Sequence, residues 1–300
     1  MFGRKERDQR LADNVAAISG KKGQWHDVIV RLFRNKVGML GALICLLLVI
    51  LCAGAPLFTK WDPYEQAVIH KFIYPNSEHI FGTDDFGRDL WARILYGGRY
   101  SLLIAFGATI FSTCVGLIMG SCAGFFGGRA DLIITRFLDI LQSIPSLLLA
   151  IAISSALGSG PFNTMLAISM GGIASGARMM RSTVMSIKGN EYVEAAKATG
   201  SNKFRTILVH VLPNTIAPLI INASLSIGGN IMAISGLSFI GLGVQAPTPK
   251  WGSILAVGKT YIRDFWPLVV FPAAFIALTI FGFNLFGDAL RDALDPKLKD

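Results

Sequence analysis

Long stretches without a charged residue constrain this chain more than any other feature. Val37 to Thr59 gives 23 uncharged positions, Tyr100 to Gly128 gives 29, and Phe265 to Gly287 gives 23. A helix crossing the hydrocarbon needs about 20 apolar residues, because each backbone amide must find its partner inside the segment. Each of the three windows therefore holds one crossing. Ile140 to Ala177 runs for 38 residues and is interrupted by Gly158-Ser159-Gly160-Pro161, so it reads as two helices joined by a tight turn. Thr206 to Pro249 runs for 44 residues. It reads as one crossing near Ile216 to Ser235, then an interfacial or re-entrant piece beginning at the glycine-rich Phe239 to Gly243. The windows predict an all-α integral membrane protein with six transmembrane helices.

Composition agrees, with 52% hydrophobic and only 16% charged residues, against about a quarter charged in a soluble domain. The net charge of +9 could suggest nucleic acid. The basic residues are not interleaved with aromatics on a polar segment, which argues against that partner. They sort instead by side of the membrane. With the N-terminus inside, segments 1–36, 129–136, 178–205 and 291–299 hold 20 of the 28 Lys and Arg residues, and segments 60–99 and 250–263 hold 8. That bias follows the positive-inside rule with both termini cytoplasmic. The organisation is then a cytoplasmic segment 1–36, an anchor helix 37–59, an outer loop 60–99, a five-helix core 100–288 with an inner loop at 178–213, and a tail 289–300. Ala53-Gly54-Ala55 resembles a leader cleavage site, but the basic lead, the long apolar run and Pro56 fit a retained anchor. Trp25 to Phe33 reads as a short amphipathic helix on the inner leaflet.

Chemistry-bearing residues are sparse. Cys45, Cys52, Cys114 and Cys122 lie in apolar runs without a CxxC pair, and the four histidines are scattered, so no metal site is expected. Gly258-Lys259-Thr260 imitates a phosphate loop, but Ser253 stands where the first glycine is required. No cofactor is expected in this chain, and no catalytic residue. Arg136 and Asp139, spaced i, i+3, read as a local ion pair at a helix start. The helix middles otherwise offer Gln142, Asn222, Asn230 and Asn284, a lining suited to a low-affinity conduit and lacking the buried ionisable relay of a secondary transporter. A stand-alone channel would need selectivity rings, and a membrane enzyme a paired acid and base; neither constellation is seen.

The inner loop carries the most specific pattern. From Glu191 to Gly200, helical spacing puts Tyr192, Ala195, Ala196 and Thr199 on one small-residued face, beside Glu194. Gly200 fits a helix C-terminal turn, and Ser201-Asn202 can cap a second helix that Pro213 ends. Such a hairpin is either an ordinary surface feature or a plug for a partner's groove.

Glu194-Ala195-Ala196, Gly200 and Leu212-Pro213, at their mutual spacing, resemble the signature loop of binding-protein-dependent ABC importer permeases, with His210 where the general pattern has isoleucine. Gly82-Thr83-Asp84-Asp85-Phe86-Gly87-Arg88-Asp89, Arg136-Phe137-Leu138-Asp139 with Pro145-Ser146, and Gly287 to Pro296 are similar to further blocks of one branch. That branch comprises the C-type permeases of dipeptide, oligopeptide and nickel importers. The resemblance implies the type I importer fold in a bacterial inner membrane and a homologous second permease. It further implies two cytoplasmic ATPase subunits that bind ATP and magnesium, and an extracytoplasmic substrate-binding protein. The cargo implied is a peptide, with a nickel chelate or glutathione as alternatives. It also implies coupling through Glu191, Tyr192, Glu194, Ala195, Ala196, Thr199, Gly200, Leu212 and Pro213. On chemistry alone, Asp84 or Asp85 would cap the following helix, and Asp288, Arg291, Asp292 and Asp295 would form helix-end salt bridges. Under the resemblance Asp84, Arg88, Asp89, Arg136, Asp139 and the C-terminal four become candidates for gating or subunit contact.

Overall fold

The computed structural model describes residues 24–243 and 247–294. Asp295 and the last residues of the C-terminal signature lie outside them. Among the described residues, ten helices longer than a single turn organise the fold: α1 (Gln24–Arg34), α2 (Lys36–Ala53), α3 (Leu90–Phe126), α4 (Gly128–Ser143), α5 (Ser146–Leu157), α6 (Pro161–Lys188), α7 (Glu191–Ala198), α8 (Ile216–Phe239), α9 (Trp251–Thr260) and α10 (Pro267–Leu294). No strand occurs among the described residues, only an isolated bridge between Thr83 and Asp89.

Four segments are long and apolar enough to cross a membrane: α2, α3, Lys203–Phe239 and α10. A fifth is broken, since α4 and α5 meet at an angle of 88°. Pro145 is the cause. It forces Ile144 into extended backbone, with φ −101° and ψ 128°, because its ring clashes with a helical predecessor. The expected pair of helices within 140–177 is thus corrected. The first begins at Gly128, breaks at Pro145 and ends at Leu157, and the second is α6. Six crossings are reached by adding α6, which is 28 residues long but carries Arg178, Arg181 and Lys188 toward its end. The six-span count is therefore approximate.

Charge-free windows also understate helix length. α3 starts at Leu90, ten residues before its window opens, and carries Arg93 and Arg99 inside it. Arg99 Nε donates to Cys52 O at 2.8 Å and its Nη2 to Ala53 O at 2.6 Å, so a cation satisfies the terminal carbonyls of α2. α10 likewise runs seven residues past Gly287 to Leu294. The segment after α8 returns as α9, whose Trp251 is fully buried and donates its indole N–H to Ile94 O at 2.9 Å. α9 lies in the segment 250–263, expected to be an outer loop, beyond the window expected to hold the interfacial or re-entrant piece.

The most extensive helix pairing is α3 against α6. Gly116, Gly120 and Gly124 repeat every fourth residue, so they form one stripe on α3. A Cβ at Gly120 would collide with Ala177 O, and one at Gly124 would stand 2.8 Å from Arg181 O. Backbones approach this closely only where side chains are absent, as is common between membrane helices. Polar glue supplements the contact: Asn230 on α8 donates to Thr109 Oγ1 on α3 at 2.8 Å. Asn230, expected to line a conduit, spends an amide hydrogen on helix packing. Gly120→Val is expected to destabilise the bundle by about 1–3 kcal/mol through overpacking, measured as a lower thermal midpoint of the solubilised chain. Ile118→Ala, on an exposed side of the same helix, should change it little.

Candidate functional site: an α7 knob and an outer turn

α7 projects as a knob just beyond the end of α6. Val193 is fully buried against Phe125, Met180, Val184, Ile207 and Val211. That apolar seat fixes the rotation of the helix and leaves Tyr192, Ala195 and Thr199 facing outward. The helix ends in a double-bonded turn. Ser201 N donates to Ala196 O and Gly200 N to Lys197 O, each at 3.0 Å, with Gly200 at φ +85°. This pair of bonds defines a Schellman motif, which needs a residue tolerant of left-handed backbone. Asn202 then caps the next turn, accepting from Arg205 N at 2.8 Å.

Two expectations for this loop are corrected. Pro213 does not end a helix. It sits at the start of a 3-10 turn, Leu212–Thr215, which carries the chain from a π-helical stretch, Thr206–Val211, straight into α8. Ala196 does not share the free face: only 9% exposed, it turns toward the chain's own core. The free surface is a cleft of about 440 Å³ lined by Tyr192, Ala195, Thr199, Gly200, Ser201, Arg205 and His210, with the mostly buried Ala196 at its margin. Arg205 and His210 were missed as lining, because an ideal α-helix from Lys203 to Val211 does not bring both to α7.

The second cluster lies at the other end of α3, roughly 55 Å away at 1.5 Å per residue. Asp89, and not Asp84 or Asp85, caps α3, accepting from Ala92 N at 2.7 Å. His79 Nδ1 lies 2.9 Å from its second carboxylate oxygen. Asp84 instead organises the turn. It accepts from Phe86 N and Arg88 N, takes the Nε–H of Arg88 at 2.7 Å, and lies 3.1 Å from Arg93 Nε. Asp84, Arg88, Asp89 and Arg93 are all buried. Asp85 is only grazed by Arg88, at 3.4 Å; burial, then the neighbouring Asp84 charge, push its carboxyl above the usual range.

Arg136 and Asp139 form only a loose contact at 3.9 Å. The tighter partner of Asp139 is Arg178 on α6 at 2.6 Å, and Arg181 grips Asp131 through both carboxylate oxygens at 2.5 and 2.7 Å. The expected local pair is thus part of a clamp between α4 and α6. Asp288, Arg291 and Asp292 lie exposed on the last turns of α10, and among the described residues none forms an ion pair. Any pairing of these three with Asp295 lies outside the described residues. Lys250, unremarked in the sequence, is 1% exposed and reaches Ser238 Oγ at 3.3 Å; burial lowers its pKa to about 8.

A family model described as binding-protein-dependent transport system inner membrane component matches residues 112–300. The chain belongs to that family. A second model, the N-terminal transmembrane domain of oligopeptide transport permease C, matches residues 23–75 of the permease. The dipeptide transport system permease protein DppC of Alkalihalophilus pseudofirmus is 42% identical, over 96% of this chain and 93% of that protein. The oligopeptide transport system permease protein OppC of Bacillus subtilis is 37% identical, over 96% of this chain and 95% of that protein. A chain of the inward-facing MetNI methionine ABC transporter superposes with a TM-score of 0.57 at 17% identity, covering 69% of this chain and 97% of that one. That likeness is one of fold alone, the type I importer permease fold.

The outer turn yields an adjacent pair of opposite effects. Asp84→Asn removes the carboxylate paired with buried Arg93 and the closer of the two paired with Arg88, and should cost about 3–5 kcal/mol, seen as a lower thermal midpoint. Asp85→Asn should raise the midpoint at neutral pH. Because the Asp85 pKa is higher folded than unfolded, folding takes up a proton as pH falls through the folded pKa. The advantage of the Asp85→Asn variant over the wild type should therefore shrink in that window, just above the ordinary carboxylate range.

Proposed function

We propose that this permease, paired with a homologous second permease, forms the path for di- or oligopeptides in an ATP-driven importer of a bacterial cell membrane. Its α7 knob seats in a groove of a cytoplasmic ATPase subunit, one of two, and its outer turn faces a substrate-binding protein. The observation that carries the reading is the cleft beside α7. A helix seated from one side by Val193, with small and polar residues free on the other, offers a stiff plug that a groove can grip. Peptide cargo is favoured by the names of the relatives, which are dipeptide and oligopeptide permeases. ATP and magnesium are left to the ATPases. Gly258-Lys259-Thr260 ends helix α9, and Lys259 lies 5.2 Å over the Phe239 ring; a phosphate loop needs free amides at a helix start.

Closure of the ATPases would draw the knobs together and rock the bundle. Switching a two-state bundle from 1:99 to 99:1 takes about 5.5 kcal/mol of differential binding, within the scale of nucleotide binding. The Asp139–Arg178 and Asp131–Arg181 pairs tie α4 to α6 near the knob and are candidates to pass the motion on. Asp288, Arg291 and Asp292, without ion pairs among the described residues, are candidates for subunit contact.

Gly200→Val meets open space but forces a β-branched residue into left-handed backbone, costing about 1–2 kcal/mol locally. It and Ala195→Trp, which fills the cleft, are expected to abolish ATPase co-purification and peptide uptake while insertion stays normal. Ser186→Ala, exposed at the end of α6, should behave as wild type. Normal ATPase association in both knob variants would exclude the plug. Orientation has a separate check in a chain cleared of native cysteines. Ser77→Cys and Thr260→Cys should react with an impermeant thiol reagent from outside, and Ala198→Cys only after permeabilisation. Labelling of Ala198→Cys in sealed cells would invert the topology.

A further inference from the structure

We propose that the side of the knob opposite its ATPase cleft is a binding site for the headgroup of an anionic phospholipid. Lys188, Lys197 and Lys203 line one cleft of about 450 Å³, together with Phe125 and the hydroxyl-bearing Ser201 and Thr206. Three elements converge to make it: the last turn of α6, the inner flank of α7, and the turn after Gly200. Among the described residues none of the three lysines lies in an ion pair or donates a hydrogen bond. Lys188 and Lys197 instead hold their ammonium groups 5.7 and 5.8 Å from the Phe125 ring. That contact offsets part of the charge repulsion but leaves the donors free. Three converging ammonium donors and the Ser201 hydroxyl suit a phosphate diester, while buried Thr206 spends its own hydroxyl on Asn202 O at 3.0 Å.

The surroundings select a lipid over a soluble anion. The cleft opens at the end of the apolar helix α3, beside Phe126, whose ring meets Phe204 at 6.1 Å. Phe204 is 70% exposed, and Leu208 and Val209 continue the apolar wall at 63% and 54%. A free phosphate would leave that wall uncovered, whereas acyl chains below the headgroup would cover it. The ATPase cleft lies across α7, since Lys197 is on the other side of the helix from Ala195. Basic pockets at helix ends on the inner leaflet are where anionic headgroups collect. Assignment to the inner leaflet rests on the orientation proposed above; the chemistry of the cleft does not.

The test uses the full-length chain in detergent, titrated with dioleoyl-phosphatidylglycerol, dioleoyl-phosphatidylcholine or inorganic phosphate, with lipid retention read by native mass spectrometry. Phosphatidylglycerol should be retained preferentially, and each single change of Lys188→Gln, Lys197→Gln or Lys203→Gln should weaken retention about fivefold. Equal retention of the two lipids by the wild-type chain, or undiminished retention in all three variants, would overturn the proposal. Displacement of phosphatidylglycerol by inorganic phosphate would assign the lysines to a soluble anion and overturn it equally. Single variants keep the result readable should the triple variant misfold. Neither ATPase nor transport enters the assay, so its failure is distinct from failure of the coupling reading.

Discussion

Where Gly116, Gly120 and Gly124 would otherwise carry side chains, carbonyl oxygens and Cβ atoms of α6 occupy the space. Both functional ends hang on that contact. The N-terminus of α3 is capped by Asp89 within the outer turn. Its C-terminal Phe125 is part of the seat under Val193 of the knob. In lipid there is no hydrophobic drive between helices, so association rests on close packing and a few hydrogen bonds. A stripe of glycines maximises the first, and Asn230 to Thr109 supplies one of the second. Under the coupling proposed above, a displacement at the knob would act on α3 and α6 packed together along this stripe.

Burial of charge at the two ends follows different rules. In the outer turn Asp84 is enclosed with two guanidiniums and two backbone amides, so removing the carboxylate would leave Arg93 without its counter-charge away from water. The Asp139–Arg178 and Asp131–Arg181 pairs between α4 and α6 are partly open to solvent, where ion pairs contribute less and break more easily. The outer turn is therefore built to hold one conformation. The inner clamp is built from interactions that a rocking bundle can remake.

Much of this was legible in the sequence, and the failures have physical causes. Charge-free windows marked the apolar stretches of α2, α3, α8 and α10 because charge in hydrocarbon is costly, and missed most of α4, whose Arg129, Asp131, Arg136 and Asp139 lie outside any window. They misjudged the ends of α3, because Arg99 serves the carbonyls of α2 and so belongs inside a helix. Propensity found the Gly200 turn, since few other residues suit its backbone. It misread Pro213, which is tolerated at the start of a 3-10 turn as it would be at a helix start. Helical spacing grouped Ala196 with Tyr192 and Ala195, yet Val193 decided which side faced the core, and a face of small residues does not itself reveal its direction. The partner of Asp139 was beyond sequence reach, as Arg178 lies 39 positions away across a helix pair.

The irregular backbone sits where a stiff bundle must bend. α4 and α5 meet at 88° about Pro145, and the approach to α8 passes through π-helical and 3-10 turns between Thr206 and Thr215. Both joints adjoin the locked α3–α6 pair, one following it through α4 and the other leading away from the knob. Interrupted helices have fewer i to i−4 bonds to break, and π and 3-10 turns mark places where register shifts cost least. A load on the knob would thus meet rigid rods through α3 and α6 and compliant joints beside Pro145 and Pro213. Under the proposed coupling, a push on the knob would then be taken up by bending at these joints, since neither proline lies inside α3 or α6 where it would soften the rods.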